Sequence, residues 1–125
     1  MSEARPDAYA ALLGATVTQL GGGNATAAIT VTEDHLNPHG TAHGSFIYSI
    51  AGLALAAAAN NDTHSGVVSS VLIDYLSPAR PGDDLLATAR VVERMPKEDI
   101  FEIRVTRGED VVARATGRAN RRARA

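Results

Sequence analysis

Residues 43–60 read HGSFIYSIAGLALAAAAN, and this stretch determines the class of fold. Alanine and leucine favour helix, and the apolar residues from Phe46 to Ala59 point in every direction around a helix drawn through them. A helix without a polar face must be enclosed by protein on nearly all sides. The sequence therefore predicts a long central helix that other elements wrap.

Alternating apolar and polar residues predict the strands that do the wrapping. The clearest case is the segment Ile100–Arg107, in which Phe101, Ile103 and Val105 alternate with polar side chains. A short helix from Pro6 to Leu13 is predicted ahead of the strands. The predicted strands are Thr16–Leu20, Ala25–Glu33, Val67–Leu76, Leu85–Glu93, Ile100–Arg107 and Val111–Ala119. We expect an α+β fold: a long central helix inside a curled antiparallel sheet of about six strands.

Composition limits the available chemistry. The chain of 125 residues is 45% hydrophobic and 21% charged, which is typical of one globular domain spanning residues 1–125. It has no cysteine, and this excludes disulfides, thiolate metal sites and a cysteine nucleophile. Catalysis would have to use oxygen atoms, imidazole rings or backbone groups.

Neither a membrane nor a nucleic acid is an expected partner. The longest uncharged apolar run, Ser45–Ala59, is shorter than the roughly 18 residues that cross a bilayer. No signal-peptide pattern opens the sequence, so we expect a cytoplasmic protein. Four arginines lie in the last eight residues, but such a tail is typical of a solvated chain end. Only 4% of residues are aromatic, which leaves few platforms for base stacking.

Two motifs carry a family resemblance over nearly the whole chain. Residues 35–46 read HLNPHGTAHGSF, and residues 74–83 read DYLSPARPGD. Together with the alanine-rich helix between them, they resemble the hotdog-fold acyl-CoA thioesterases, most closely the PaaI-like branch of phenylacetate degradation. The resemblance implies hydrolysis of phenylacetyl-CoA or a related aromatic or medium-chain acyl-CoA, without a metal or an organic cofactor. It also implies homodimers whose sheets join edge to edge, paired into homotetramers as dimers of dimers.

The resemblance assigns roles to three residues. The family's oxyanion donor, a backbone N–H at the start of the central helix, falls on Gly44, and its loop asparagine falls on Asn37. Free N–H groups and the positive dipole end of a helix suit the oxyanion of an attacked thioester. The family's catalytic carboxylate, however, falls on Gly52, where this chain has no side chain. We therefore expect low turnover.

Helix geometry places the reaction between two chains. Eight residues of helix rise about 12 Å, so Gly44 and Gly52 of one helix cannot both reach one thioester carbon. Three explanations for Gly52 remain open: close packing of helices across a dimer axis, loss or replacement of the carboxylate, or an engineered change. Candidates for a substitute base are Asp74, His64, His39 and His43. A structural role in a strand or turn is the simpler explanation for Asp74, and an exposed position in a loop is the simpler explanation for His64.

The remaining candidates are polar residues near these motifs. His35, His39 and His43 have the spacing of metal ligands on a helix, but Pro38 and Gly40 break such a helix, so hydrogen bonding within a loop is favoured. His43 would orient the substrate carbonyl or fix the loop, and Ser45 would be the helix N-cap, with a hydroxyl within reach of a ligand. The predicted substrate-binding residues are His39, Ser45, Tyr48, Ser69 and Ser70. Core or dimer packing is the alternative for Tyr48, and a solvated sheet face is the alternative for the two strand serines.

Two other functions remain open at the level of sequence. The first is a protein that binds acyl-CoA without hydrolysing it, as the absent carboxylate suggests. The second is a hotdog enoyl-CoA hydratase, suggested by the loop Asp34–His39, although the Asp-x-Asn-Pro-x-His spacing of those enzymes is not reproduced here.

Overall fold

The structure is a computed structural model that describes residues 2–3, 6–60 and 64–123. In the described part, a seven-stranded antiparallel sheet with the order β1-β2-β3-β5-β6-β7-β4 surrounds one long helix. The elements are β1 (Ser2–Glu3), α1 (Ala8–Leu13), β2 (Thr16–Gly21), β3 (Asn24–Thr30), α2 (Gly44–Ala59), β4 (His64–Tyr75), β5 (Asp84–Arg94), β6 (Glu98–Arg107) and β7 (Asp110–Ala123). The predicted α+β hotdog architecture is confirmed, and the two-residue β1 is the strand that the sequence did not indicate. No helix among the described residues is long and apolar enough to span a membrane.

Small residues on the inner face of the sheet let α2 approach closely. One row of paired residues crosses four strands as Ala25, Ala89, Ile103 and Ala115, and all four are buried. Gly117 continues this face of β7, where a Cβ atom would lie 2.5 Å from a methyl group of Leu55 on α2. The curl of the sheet around the helix therefore depends on side chains that are small or absent.

Strand β3 is shorter than predicted. The sequence indicated a strand to Glu33, but β3 ends at Thr30 and residues Glu33–His35 form a 3-10 turn. The Thr32 N–H donates to Nδ1 of His35 at 2.9 Å, and this local bond turns the chain away from the sheet. The turn directs the chain into the loop that leads to α2.

The enclosure of α2 is incomplete in one chain, which corrects the expectation of a helix covered on nearly all sides. A stripe of residues at four-residue spacing remains partly or largely exposed, and Tyr48 in its middle is 43% exposed. Residues four apart lie on one face of a helix. The stripe comprises Gly44, Tyr48, Gly52, Ala56 and Asn60. The side chains of the stripe are small or amphipathic, so leaving them exposed to water costs little free energy.

Strand β4 forms a free edge of the sheet. It pairs only with β7 among the described strands, and it leaves apolar side chains in solvent, including Val67 and Leu72, the latter 71% exposed. A long apolar edge strand readily pairs with a strand of another chain, and monomeric proteins usually protect such an edge. This edge is available for the sheet-to-sheet pairing that the resemblance implies.

A buried carboxylate joins strands β6 and β7. Asp99 is 2% exposed and accepts hydrogen bonds from the guanidinium groups of Arg94, at 3.3 Å, and Arg121. Nε2 of His64 lies 3.8 Å from the same carboxylate. Side chains from β4, β5 and β7 therefore converge on one carboxylate of β6.

Replacing Asp99 by asparagine should lower the free energy of unfolding by about 3 kcal/mol. This value is the low end of the range for breaking a buried ion pair, and we choose it because the partner Arg94 is 48% exposed. Urea unfolding at one protein concentration measures this change. The matched control is Asp110→Asn. It removes the ion pair between Asp110 and Arg107, in which the Asp110 side chain is 72% exposed. The control should lower the free energy of unfolding by no more than about 1 kcal/mol. Equal decreases in both variants would contradict the conclusion that the Asp99 ion pairs stabilise the fold through their burial.

Candidate active site

The start of α2 presents a free backbone donor. Nδ1 of His43 accepts the Ser45 N–H at 3.0 Å, and the His43 carbonyl accepts the N–H groups of Phe46 and Ile47. The Gly44 N–H forms no hydrogen bond with any described residue. The first N–H groups of a helix need partners outside the helix, so this amide is available to a ligand oxygen at the positive end of the dipole.

His43, and not Ser45, is the N-cap of α2. The prediction for Ser45 was wrong because Gly44 already has helical geometry, whereas His43 is extended, with φ −62° and ψ 140°. Ser45 lies in the first helical turn, exposed to solvent. Of the two roles predicted for His43, the structure supports fixing the loop, because its ring nitrogen is engaged by the Ser45 amide.

Asn37 closes the loop ahead of α2. Its Oδ1 accepts the N–H groups of His39, at 2.9 Å, and Thr41, at 3.2 Å, while its Nδ2 donates to the Thr41 hydroxyl at 2.9 Å. The loop is tied to the connection between β4 and β5 by the Ala42 N–H, which donates to the carbonyl of buried Ala79 at 2.7 Å. Asn37 therefore shapes the approach to Gly44, and one N–H of its side-chain amide remains for a ligand.

The three loop histidines face different partners. The His35 ring stacks on Phe46 with centroids 3.9 Å apart, the Nδ1 atom of His43 caps α2, and His39 is exposed. Among the described residues, no group of three potential ligands could hold a metal ion. The His43 ring hydrogen-bonds beside Gly44, which is the kind of role that the sequence favoured for this loop.

Tyr75 is a site residue that the sequence reasoning missed. Its hydroxyl donates to the Gly44 carbonyl at 2.9 Å, and a Cβ atom at residue 44 would lie 3.3 Å from the Tyr75 ring. Burial raises the pKa of Tyr75, and nearby Tyr48 raises it further, so the phenol stays protonated and remains a donor. The alternation of Val71, Ile73 and Tyr75 on one face of β4 was the available signal, but periodicity does not show what that face meets.

Tyr48 and Gly52 continue the exposed stripe of α2 away from Gly44. Tyr48 is not a core residue of the single chain, because 43% of it is exposed. Apart from the adjacent residues and the nearby backbone of α2 itself, no described atom lies within 4 Å of the place where a Cβ atom of Gly52 would be. Within the described part of one chain, therefore, no packing contact requires a glycine at residue 52, and a side chain would fit there.

Two of the four candidate substitute bases, Asp74 and His64, lie away from the Gly44 amide. Asp74 is adjacent to Tyr75 in β4 and faces the opposite side of the sheet, where it is exposed and paired in register with Arg114. His64 is not an exposed loop residue as expected; it begins β4 and lies beside Asp99. Neither residue can act as a base at Gly44 of the same chain.

The serines predicted to line an acyl pocket lie on the free edge of the sheet. Ser69 and Ser70 are both exposed on β4, and they lie at a bulge between Val68 and Ser70. The Ser69 hydroxyl donates to the Arg118 carbonyl at 3.4 Å. In the single chain this geometry supports the alternative that the two serines lie on a solvated face of the sheet, since their strand pairs with β7 and the hydrogen bond of Ser69 also goes to β7 and not to α2.

Comparison with known proteins agrees with this architecture. Residues 39–114 match the thioesterase superfamily. The acyl-coenzyme A thioesterase PaaI of Escherichia coli (strain K12) is 34% identical over 116 residues, which cover 92% of this chain and 83% of that protein. The solved structure of E. coli PaaI from the phenylacetic acid degradation operon has a TM-score of 0.88 and 33% identity, covering 94% of this chain and 86% of that one. The TT0310 protein from Thermus thermophilus has a TM-score of 0.89 and 35% identity, covering 94% of this chain and all of that one.

The described strands and α2 form the hotdog fold. The chain belongs to the thioesterase superfamily, and its similarity to E. coli PaaI places it with the PaaI-like acyl-CoA thioesterases.

Proposed function

We propose that this protein hydrolyses phenylacetyl-CoA or a related aromatic or medium-chain acyl-CoA, slowly, at a site built from two copies of the chain. The observation that carries the proposal is the Gly44 N–H, which starts a helix and has no partner among the described residues. The name of the E. coli relative and the operon of its solved structure support the acyl class. Acyl-CoA esters are intracellular, so the proposed reaction is cytoplasmic.

The proposed chemistry uses backbone and loop groups. The thioester oxygen accepts the Gly44 N–H, and this polarises the carbonyl and stabilises the charge that develops there. Water adds to the carbonyl carbon and gives up one proton to solvent, the C–S bond breaks, and the leaving CoA thiolate takes up a proton from solvent, so the products are the carboxylic acid and free CoA. Tyr75 and Asn37 hold the helix start and its loop in place. No side chain at Gly52 receives the proton of the water, which is the physical reason to expect slow turnover.

Two features support a site shared between subunits. Gly44 and Gly52 are separated by eight residues of α2, about 12 Å along the axis, although both lie on the exposed stripe of the helix. The free edge of β4 offers backbone groups and apolar side chains for pairing with a second copy. We propose a homodimer joined at this edge, with two dimers forming the tetramer.

Release of free thiol from phenylacetyl-CoA tests the proposed reaction. Slow release that depends on the protein is expected, together with measurable affinity by calorimetric titration. Affinity without any product would favour the acyl-CoA-binding alternative, which the absent side chain at Gly52 supports. Absence of both affinity and product would contradict the proposal. Hydration of crotonyl-CoA, followed by absorbance, tests the hydratase alternative directly.

A further inference from the structure

The hydroxyl of Tyr48 has no role in the chemistry proposed above. Tyr48 lies on the exposed stripe of α2, one helical turn after Gly44. The chain has three tyrosines, and the other two are engaged: Tyr9 bonds to the Ser49 hydroxyl at 2.7 Å, and Tyr75 donates to the Gly44 carbonyl at 2.9 Å. The Tyr48 hydroxyl forms no hydrogen bond with any described residue, so it is available to a ligand.

The Tyr48 side chain extends toward the Gly44 amide. Side chains of a helix lean toward its N-terminus and cover the turn before their own Cα atom. Four residues of helix rise about 6 Å, which is close to the length of a tyrosine side chain from Cα to hydroxyl. The N–H groups of a helix also point toward its N-terminus. The Tyr48 hydroxyl can therefore reach an oxygen atom that the Gly44 N–H also binds.

The position of Tyr75 supports this placement of Tyr48. The Tyr75 ring lies against Gly44, where an added Cβ atom would be 3.3 Å from it. Burial raises the pKa of Tyr75, and the charge interaction with Tyr48 raises it further, so the two phenols are close enough to interact. Because Tyr75 donates its proton to the Gly44 carbonyl, Tyr48 is the phenol that remains for a substrate.

Two-fold symmetry keeps Tyr48 beside the Gly44 of its own chain. In a symmetric pair, if one residue faces a second, the second faces the first. The proposed pairing of Gly44 with Gly52 of the second copy therefore places Tyr48, midway between them in sequence, opposite Tyr48 of the second copy. Each ring leans toward the start of its own helix, so the two phenols point away from the axis into separate sites.

We infer that the Tyr48 hydroxyl is a second oxyanion donor, which acts together with the Gly44 N–H on the thioester oxygen. The inference rests on the proposed thioester hydrolysis and adds a catalytic residue to it. Phenols are protonated at neutral pH, so Tyr48 donates a hydrogen bond and transfers no proton. Such a bond strengthens as the oxygen gains negative charge. Since Tyr48 removes no proton from water, turnover remains slow.

A stable ketone tests this bond without relying on turnover. In this analogue of phenylacetyl-CoA a methylene group separates the CoA sulfur from a carbonyl labelled with carbon-13, so nothing can be hydrolysed. Infrared difference spectra report the carbonyl stretch of the bound analogue, which rises when a hydrogen bond is lost. Tyr48→Phe removes only the hydroxyl and should raise this frequency. The matched control is Tyr9→Phe, because Tyr9 is similarly exposed, at 47% against 43%, and it should leave the frequency unchanged.

The kinetic test separates catalysis from ordinary binding. In the Gly52→Asp background, Tyr48→Phe should lower kcat by about 10²-fold, the usual loss when one oxyanion donor is removed. KM should stay within about twofold, because the bond acts mainly in the transition state. Tyr9→Phe should leave both parameters within about twofold. A higher KM with unchanged kcat would make Tyr48 an ordinary binding residue and would overturn the inference.

The spectroscopic outcomes separate this inference from the proposed function. A carbonyl frequency that is the same in Tyr48→Phe and in the unmodified protein would overturn the role of Tyr48 and leave the proposed function intact. Equal shifts in Tyr48→Phe and Tyr9→Phe would also overturn it, because they would show a general change in the site. If the ketone does not bind the unmodified protein, the proposed function fails and the role of Tyr48 fails with it.

Discussion

Replacing Gly52 by aspartate should raise kcat for phenylacetyl-CoA by a factor of about 10² to 10⁴, the usual contribution of a placed general base. The space around residue 52 is open in the single chain, so the new side chain fits without displacing a neighbour. Residue 52 is also the position that the family resemblance assigns to the catalytic carboxylate. Thiol release at saturating substrate measures the gain.

Asparagine at residue 52 is the matched control, because it has the size of aspartate without its charge. Gly52→Asn should leave kcat within a few-fold of the unmodified protein. Equal and high rates in the unmodified protein and in Gly52→Asp would show that the missing base has been placed wrongly. An equal gain in kcat in both variants would mean that the gain comes from a more stable helix and not from proton transfer.

Replacing Gly44 by proline should lower kcat by about 10² to 10³ relative to Gly44→Ala, the usual loss when one oxyanion donor is removed. Proline lacks the N–H but is favoured at the first position of a helix. The preceding residue, His43, has φ −62° and ψ 140°, a conformation that proline accepts in its neighbour. The substitution therefore removes the donor while sparing the helix.

Gly44→Ala is the necessary reference, because any Cβ at this residue would lie 3.3 Å from the Tyr75 ring. The alanine variant keeps the N–H and shows the cost of shifting Tyr75. Both substitutions are best compared in the Gly52→Asp background, where turnover is expected to be measurable. Similar rates in the two variants would exclude the Gly44 amide as the oxyanion donor.

The sequence predicted the fold more completely than it predicted the site. The apolar helix and the six alternating segments required a sheet wrapped around a helix, and the alanines of β3, β5 and β7 fit that arrangement. Element ends were less accurate. Strand β3 stops at Thr30 because the hydrogen bond between Thr32 and His35 starts a 3-10 turn. Hydrophobic periodicity does not predict such a local hydrogen bond.

In the candidate site, the sequence correctly placed the backbone donor but not the side chains around it. Gly44 lies at the start of α2, as its motif indicated. Hydrophobic patterns and motifs did not show that the His43 ring would take the capping role or that Tyr75 would meet Gly44, since both depend on how the loop and β4 fold back on the helix.

Mixing subunits tests the two-chain site most directly. One chain carries both Gly44→Pro and Gly52→Asp, and the other is unmodified; the first alone should be inactive and the second slow. A mixed dimer contains one site with the intact amide of one chain opposite the added carboxylate of the other. Co-refolded mixtures should therefore release thiol from phenylacetyl-CoA at about half the rate of the Gly52→Asp homodimer per mixed dimer. A mixture no faster than the unmodified protein alone, with mixed dimers confirmed by mass, would contradict a site shared between two chains.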